Sequence, residues 1–342
     1  MKIEKPATKF FQRLLALARF INAGFAVVGA SGCSGVQSAL DPAGREAAWM
    51  ADIFWVMTAG AVVVWLAVIA LALWAAKTPP EKHSLRRTRL LIIGGGALLP
   101  TIVLGVLLLY GLKPIPVLLA PPPEGSLKIH VTGEQWWWRV RYQMPNGGEV
   151  VLANEIRLPV GEPVQFQLDS TDVIHSFWIP SLAGKVDMIP GRTTYLTLMP
   201  TRTGEFRGAC AEYCGTSHAL MAFRVVVEER DEFRRWLERQ ASPATAPAEP
   251  LALRGQELFL ATGCNACHTL RGTPASGVVG PDLTHVGSRR SIAAGTLAND
   301  PENFHRWIAH TDKIKPGVLM PPFHPLTAEE LQALAAYLES LE

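Results

Sequence analysis

The chain has 342 residues, of which 49% are apolar and only 18% are charged, against roughly 25% charged residues in ordinary soluble domains. This composition excludes intrinsic disorder and argues against a purely soluble enzyme, because part of the chain is apolar enough to sit in lipid. The formal net charge of +2, with no basic run outside one short loop, gives no support to a nucleic-acid partner. The length itself predicts two or three domains.

Residues 1–32 have the pattern of a secretory signal peptide. Basic side chains come first, an apolar stretch covers 20–28, and small residues lead into Cys33. Because Gly32-Cys33 resembles a bacterial lipoprotein cleavage box, the sequence predicts that Cys33 is lipidated. The alternative is an uncleaved signal anchor with an incidental thiol. Residues 33–48 are then a short external segment.

Residues 49–112 are predicted to form a hairpin of two transmembrane helices. The stretches 53–76 and 90–112 contain no charged side chain, and each exceeds the roughly 20 residues that a helix needs to cross a bilayer. The loop between them is rich in Lys and Arg. The positive-inside rule therefore places this loop in the cytoplasm and everything after residue 112 on the outer side.

A proline-rich stretch, 113–125, is predicted to be a stiff spacer between the membrane and a first exported domain over 126–239. This domain contains short runs typical of β-strands, separated by Gly, Pro and Asn turns. The runs are 127–131, 136–142, 164–168, 193–198 and 223–227. Strands at this spacing predict a small antiparallel sandwich or barrel.

The last loop of this domain carries residues that bind metals: Cys210, Cys214, His218 and Met221. A mononuclear blue-copper loop offers one Cys, one His and a weak Met ligand. Here a second cysteine is present, and two thiolates can each bridge two metal ions, with His175 as the best earlier histidine. The pattern predicts a dinuclear copper centre suited to electron transfer. A disulfide and a zinc site are the alternatives, but neither explains Met221.

A low-complexity, proline-rich stretch, 240–250, is predicted to be a semi-extended linker to a second exported domain over 251–342. This domain contains Cys264-Asn-Ala-Cys267-His268, the attachment signature of a c-type haem, in which both cysteines form thioethers and the histidine ligates the iron. A thioredoxin-like redox pair is the competing interpretation, but the βαβ context that it requires is missing.

Other features of this second domain fit the haem interpretation. Met320, its one methionine, is predicted to be the sixth ligand of the iron. The alternatives are His305, His310 and His324. Gly280-Pro281 resembles the turn of class I cytochromes c whose proline carbonyl orients the proximal histidine. A terminal helix over 328–339 is predicted to pack against 255–259 in a small all-helical fold.

Three motifs together resemble subunit II of haem-copper cytochrome c oxidases, whose cupredoxin domain holds the dinuclear copper centre CuA. They are the run 175–192, beginning His-Ser-Phe-Trp, the Cys-x3-Cys-x3-His-x2-Met loop, and the run 133–139, Gly-Glu-Gln-Trp-Trp-Trp-Arg. The resemblance implies that Cys210 and Cys214 are bridging thiolates and that His175 and His218 are terminal ligands. It also implies that the Met221 thioether is the axial ligand of one copper and that the backbone carbonyl of Glu212 binds the other.

The same resemblance implies two further roles. The Glu212 carboxylate reaches a magnesium ion at the boundary with subunit I, and Trp136 receives the electron from cytochrome c. Trp137 and Trp138 are equally consistent with packing. One departure from the family pattern is that 90–100 lacks the glutamate that mitochondrial-type members carry at the mouth of a proton-uptake route.

Over nearly its whole length, the chain resembles a subunit II with a fused C-terminal cytochrome c, which is the caa3 arrangement. This resemblance implies a multi-domain membrane protein with a two-helix transmembrane hairpin, a β-sandwich or barrel cupredoxin domain and an all-α class I cytochrome c domain. The expected cofactors are two copper ions, one covalent haem c and magnesium. The expected location is a bacterial cell membrane, with both exported domains on the periplasmic side.

The expected function is electron transfer from an external donor, such as a cytochrome c or a cytochrome bc1 complex, through haem c and CuA to oxidase subunit I. Subunit I reduces O2 to water with proton pumping, so this chain has no catalytic residue of its own, and subunit III is a further partner. The alternatives are the CuA subunit of a nitric oxide reductase and a stand-alone membrane-tethered electron carrier or copper-binding module.

Overall fold

The computed structural model describes residues 33–79, 84–144 and 147–342. The predicted signal peptide, 1–32, lies outside the described residues. Cys33, the predicted lipid attachment point, is half-buried, and its carbonyl accepts a hydrogen bond from Ser38 Oγ at 2.9 Å.

Two helices in the described residues are long and apolar enough to cross a membrane: α1 (Arg45–Lys77) and a second helix over Leu85–Leu118. In chain order the second helix consists of α2 (Leu85–Leu90), a π-helical segment (Leu91–Leu98), α3 (Leu99–Leu112) and α4 (Ile115–Leu118). Apolar side chains along both helices are exposed, as expected for helices that contact lipid. Because α4 lies within 113–125, part of the predicted stiff spacer is helical.

The first turn of α1 packs against the β-domain that follows. Ala47 is buried there, and Glu46 is only 2% exposed. The Glu46 carboxylate accepts a hydrogen bond from the N–H of Met199 at 2.9 Å. A Cβ at Gly44 would lie 2.1 Å from the carbonyl oxygen of Leu182, so the two backbones approach too closely for a larger residue. The end of the predicted short external segment, 33–48, therefore contains the contact between α1 and the β-domain.

In the part of the first domain that the structure describes, ten strands form two five-stranded sheets that pack against each other around one core. In spatial order the first sheet has β3 (Glu149–Ala153), β2 (Trp137–Gln143), β1 (Leu127–Glu134), β5 (Val164–Ser170) and β8 (Thr194–Leu198). The second has β4 (Glu155–Pro159), β10 (Ala222–Glu228), β9 (Gly204–Cys210), β6 (His175–Trp178) and β7 (Val186–Met188). The pairs β1–β5 and β4–β10 are parallel, so the sandwich is mixed rather than antiparallel as predicted.

The sequence pattern marked β1, β2, β5, β8 and β10 but not the other five strands. β6 and β7 have only four and three residues, too few for an alternation of apolar and polar side chains to stand out. β9 contains two glycines, which are depleted in strands. These strands form because their neighbours in the sheet pair with them.

Aromatic side chains from both sheets fill the core of the sandwich. Trp138 is fully buried and contacts Phe177 and Phe223 edge to face, with ring centroids 5.8 and 5.2 Å apart. A helix after the last strand, α5 (Arg230–Ala241), packs on the sandwich through Trp236, whose ring centroid lies 5.5 Å from that of Tyr142. Trp138 is thus a packing residue.

The second exported domain is mainly helical. Its helices are α6 (Pro250–Ala261), α7 (Pro301–Ala309), α8 (Thr311–Ile314) and α9 (Ala328–Glu339). The predicted packing of the terminal helix is confirmed, because a Cβ at Gly255 of α6 would lie 2.0 Å from the carbonyl oxygen of Ala333 in α9. A two-stranded hairpin, β11 (Ser291–Ile292) with β12 (Leu297–Ala298), makes the domain less uniformly helical than predicted.

The linker between the exported domains is bound to the second domain. The N–H of Ala244 donates to the carbonyl oxygen of Arg271 at 2.8 Å. The two exported domains also touch directly, since the N–H of Arg290 donates to the Glu155 carboxylate at 2.6 Å. Part of the linker therefore lies against the second domain.

Candidate functional site

The side chains predicted to bind copper meet at one end of the β-sandwich. β6 begins at His175 and β9 ends at Cys210, and the two strands are antiparallel neighbours. Cys214, His218 and Met221 lie in the loop between β9 and β10, whose pairing holds the two ends of the loop together. The sheet therefore brings together two segments that are distant in the sequence.

The candidate ligand atoms lie close to one another. The Sγ atoms of Cys210 and Cys214 are 3.7 Å apart. His175 Nδ1 lies 3.8 Å from Cys210 Sγ, and on the other side His218 Nδ1 lies 3.5 Å from Cys214 Sγ. Met221 Sδ lies 3.8 Å from Cys214 Sγ. Each sulfur thus has its own imidazole nitrogen, and the thioether is beside one of them.

The geometry separates the copper interpretation from its alternatives. The sulfur separation of 3.7 Å in Cys210 and Cys214 is far above the roughly 2.05 Å of a disulfide. Cys210 Sγ also lies 3.1 Å from the backbone carbonyl oxygen of Glu212. Thiolates, imidazoles, a thioether and a carbonyl in one small volume fit copper, whereas structural zinc does not use a thioether.

An aspartate with no role in the sequence-based prediction orients His175. Asp172 Oδ1 lies 2.9 Å from His175 Nε2. Because the carboxylate accepts, Nε2 carries the hydrogen and Nδ1 keeps its lone pair toward Cys210. Burial opposes the charge of Asp172, but hydrogen bonds from His175 and from the N–H groups of Val173 and Gln135 outweigh it and lower the pKa of the carboxyl.

The two thiols hold their protons unequally. The contact with Cys214 is the largest cause that lowers the pKa of Cys210, and the same contact raises the pKa of Cys214. The two protons of the pair are therefore lost in separate steps, since each thiol changes the pKa of the other.

Glu212 offers two groups that face different surroundings. Its backbone carbonyl faces the Cys210 sulfur, whereas its carboxylate is about half exposed and lies 3.8 Å from Lys185 Nζ. Lys185 makes a shorter ion pair with Asp187, at 2.8 Å. The Glu212 carboxylate is therefore not held in a tight ion pair and is accessible at the surface.

The tryptophan predicted to receive electrons lies against the copper-ligand loop. Trp136 Nε1 donates to the carbonyl oxygen of Cys214 at 3.0 Å, and Gln135 Nε2 donates to the same oxygen at 2.6 Å. Both residues occupy the turn between β1 and β2, not the strand that was predicted to begin at residue 136. Trp137, by contrast, packs under the Arg139 guanidinium, 4.7 Å from its ring centroid.

The haem-attachment signature follows α6 in a tight turn, with Cys264 half-buried and Cys267 exposed. His268 Nδ1 lies 2.7 Å from the carbonyl oxygen of Pro281. Since a carbonyl only accepts, Nδ1 carries the hydrogen and Nε2 keeps the lone pair that an iron ion requires. Burial lowers the pKa of His268 and so favours the neutral ring. A Cβ at Gly280 would lie 2.6 Å from His268 Cε1, so this turn holds the ring closely.

Met320 lies in the loop between α8 and α9. Its side chain packs against the core of the second domain, and its carbonyl accepts a hydrogen bond from Thr311 Oγ1 at 2.9 Å. Leu319 beside it, and Val278 and Val279 beside the His268-orienting turn, are exposed. Exposed apolar side chains therefore lie beside each of the two predicted axial ligands.

Sequence reasoning missed two residues at these sites, Asp172 and Lys315. Asp172 stands three residues before His175, a spacing that could have identified it, since the free nitrogen of a metal-binding histidine usually donates to a carboxylate or carbonyl. Lys315 donates to the backbone carbonyl of Trp136 from a buried position. Nothing in the sequence distinguishes it from the exposed Lys313.

Comparison with known proteins gives matches for both exported domains. The family model "Cytochrome C oxidase subunit II, periplasmic domain" matches residues 146–229, and the model "Cytochrome c" matches residues 252–342. Cytochrome c oxidase subunit 2 of Alkalihalophilus pseudofirmus is 34% identical over 341 residues, covering 95% of this chain and 97% of that protein. Subunit 2 of Bacillus sp. strain PS3 is 34% identical over 229 residues, which cover 64% of this chain and 63% of that protein.

Among solved structures, the periplasmic domain of subunit II of cytochrome oxidase of Bradyrhizobium japonicum is 33% identical, covering 35% of this chain and 97% of that chain at a TM-score of 0.33. The two family matches fall on the β-sandwich and on the helical domain, and the Alkalihalophilus pseudofirmus protein joins both in one chain of similar extent. The chain therefore belongs to the cytochrome c oxidase subunit 2 family, in the form that carries a fused C-terminal cytochrome c domain.

Proposed function

We propose that this subunit carries electrons from a c-type donor, such as a cytochrome c or a cytochrome bc1 complex, through haem c and a dinuclear copper centre to subunit I. Subunit I then reduces O2 to water and pumps protons, and subunit III is a further partner. The observation that carries the proposal is the convergence of the expected copper ligands beside Trp136, which hydrogen-bonds to Cys214.

In this proposal Cys210 and Cys214 would hold two copper ions together with His175 and His218, the Met221 thioether and the Glu212 carbonyl. When bound, such a copper pair supplies one-electron transfer with little change of geometry. The protein prepares the site: Asp172 holds the His175 ring, and the pairing of β9 with β10 holds the ends of the ligand loop.

Cys264 and Cys267 would attach haem c covalently, with His268 and Met320 as its axial ligands. The hydrogen bond from His268 Nδ1 to Pro281 supports this assignment, because it leaves Nε2 for the iron. A haem held in this way is a second one-electron carrier on the same chain.

The Glu212 carboxylate would hold magnesium at the boundary with subunit I, which fits its exposed position. We place both exported domains on the periplasmic side of a bacterial cell membrane, since two apolar helices precede them and the loop between these helices is basic. Residues 1–32 would then be removed as a signal peptide and Cys33 would carry the lipid. The comparisons do not favour the nitric oxide reductase alternative, because the relatives described above are named cytochrome c oxidase.

The proposal is tested by purifying the full chain together with its large membrane subunit. We expect two copper ions and one haem c per chain, measured by metal analysis and by a pyridine haemochrome assay, and O2 consumption by the complex. Zinc in place of copper would contradict the proposed copper centre. Reduction of NO without O2 consumption would favour the nitric oxide reductase instead.

A further inference from the structure

The first exported domain (126–239, the copper domain) and the second (251–342, the cytochrome domain) meet around one buried lysine. Lys315 of the cytochrome domain is only 2% exposed. Its Nζ donates to the carbonyl oxygens of Trp136 at 2.5 Å, Leu220 at 2.9 Å and Ala293 at 3.3 Å. Burial lowers the pKa of Lys315 to about 7, and in the protonated form its three N–H bonds match the three carbonyl oxygens. Trp136 and Leu220 belong to the copper domain, and Lys315 therefore joins the two domains.

The next two residues of the same loop complete this contact. The carbonyl of Pro316 accepts a hydrogen bond from Ser217 Oγ of the copper domain at 2.7 Å. A Cβ at Gly317 would lie 2.8 Å from Cη2 of Trp136, so the loop backbone rests on the indole itself. Trp136 is consequently only 7% exposed. The loop then continues to Met320, so one short segment links the indole to the haem side of the cytochrome domain.

A second contact comes from the turn between β11 and β12. The N–H of Ala222 donates to the carbonyl oxygen of Ala294 at 3.1 Å, and Thr296 Oγ1 donates to that of Leu220 at 3.3 Å. Ala293 and Ala294 have left-handed backbones, with φ of 52° and 57°, which non-glycine residues adopt only where the surroundings hold them. Here the turn contacts Leu220 and Ala222, which stand on either side of Met221, a proposed copper ligand.

These buried contacts define the interface more sharply than its exposed charges do. The ion pair between Arg290 and Glu205 also crosses it, at 3.2 Å, but both side chains are about half exposed, so water and salt screen their attraction. A small displacement of the cytochrome domain, by contrast, would leave Lys315 buried without its acceptors, which is costly. The hydrogen bonds are therefore compatible with a single pose of the two domains.

We propose that Lys315 is a positioning residue that, together with the turn 293–296, holds the cytochrome domain in one pose over Trp136. The indole is thereby reserved for the chain's own cytochrome domain, and a soluble donor must dock on that domain instead. The inference rests on the proposed function only in taking the cytochrome domain as the electron donor to copper. On a flexible linker the cytochrome domain would be present at an effective concentration in the millimolar range and would have to find its docking position by diffusion. In a fixed pose it already occupies that position.

The test uses the full-length chain in the assembled oxidase and compares the wild type with Lys315→Met. Lys313→Met is the matched control, since it alters an exposed lysine two residues away. Hydrogen exchange is measured over 217–224 and 291–298, because the Ala222 amide donates directly across the interface. We expect about tenfold faster exchange in both segments for Lys315→Met, the scale expected for losing these buried hydrogen bonds, and no change for Lys313→Met.

A second readout separates release of the domain from general damage. Reduction by soluble cytochrome c is followed separately in the haem and copper absorption bands. In Lys315→Met we expect slower transfer from haem to copper and faster direct reduction of copper, with the spectra of both centres unchanged. General damage would slow both steps. Thr296→Val, which removes only the bond to Leu220, should act in the same directions by a smaller factor.

Wild-type exchange in both segments of Lys315→Met, with both centres spectroscopically intact, would overturn the positioning role and leave the proposed function standing. Should Lys315→Met fail to accumulate, Thr296→Val decides in the same way. Absence of copper or haem from the wild-type complex would overturn the proposed function instead.

Discussion

Cys214 connects the proposed copper ligands to the indole of Trp136. Its sulfur lies 3.5 Å from His218 Nδ1 and 3.8 Å from Met221 Sδ. Its backbone carbonyl accepts the hydrogen bond from Trp136 Nε1. Because the two roles use different atoms, a change of the side chain acts on the metal site and spares the indole.

Replacing Cys214 by Ser should abolish the dinuclear copper signal, because a bridge shared by both ions cannot be lost from one of them alone. Met221→Leu should be milder: it removes one weak axial ligand, so copper is retained while its reduction potential shifts. The haem spectrum should stay normal in both variants, since the two sites share no ligand. Metal analysis and electron paramagnetic resonance measure these outcomes, and an unchanged copper signal in Cys214→Ser would refute the assignment.

At the scale of elements, the cytochrome domain depends on the close contact between α6 and α9. The Thr327 hydroxyl and the Glu330 side chain form a capping box that starts α9. Tyr337 on this helix is buried against Phe259 of α6, edge to face, with ring centroids 5.8 Å apart. At Gly255 the two helices are so close that no side chain fits between them.

Gly255→Val should therefore destabilise the cytochrome domain by about 3 kcal/mol or more, since overpacking at a backbone contact forces the helices apart. Leu253→Ala, at a position of α6 where the leucine is 44% exposed, is the control and should change stability by less than about 1 kcal/mol. Thermal unfolding followed by haem absorbance measures both. A melting temperature of Gly255→Val equal to that of the wild type would show that the helices are not in this contact.

At the scale of the whole molecule, the two exported domains and the linker form one connected structure. The linker is hydrogen-bonded to Arg271, and the Arg271 guanidinium also forms an ion pair with Asp282 at 3.1 Å. The cytochrome domain in turn covers Trp136. Removing the cytochrome domain would therefore uncover Trp136, while every proposed copper ligand remains in the chain.

Deleting residues 251–342 should leave a spectroscopically normal copper centre, because every proposed copper ligand lies before the deletion. The truncated complex should turn over slowly with its native donor, since it has lost its own haem, and added soluble cytochrome c should restore turnover because Trp136 is now uncovered. Stopped-flow reduction of copper measures both rates. Equal rates from the native donor in the truncated and intact complexes would place the fused haem outside the route.

The sequence by itself was sufficient to predict features that depend on short spacings. Cys210, Cys214 and Met221 lie close together in the sequence, and the predicted haem signature occupies 264–268, so spacing alone restricts their geometry in almost any fold. The predicted terminal helix, 328–339, has the same bounds as α9, because the capping box and the apolar periodicity both act within a single helix.

Only the tertiary structure decided what depends on distant residues. β6 and β7 are too short to be recognised by alternation and exist because of their partners in the sheet. The hydrogen bond from Ala244 of the linker to Arg271 joins two residues whose contact the composition of the linker does not predict. Lys315 and Lys313 look alike in the sequence, yet folding surrounds only Lys315 with three carbonyl oxygens. Burial and hydrogen-bond partners are set by long-range contacts, and spacing along the chain does not specify these.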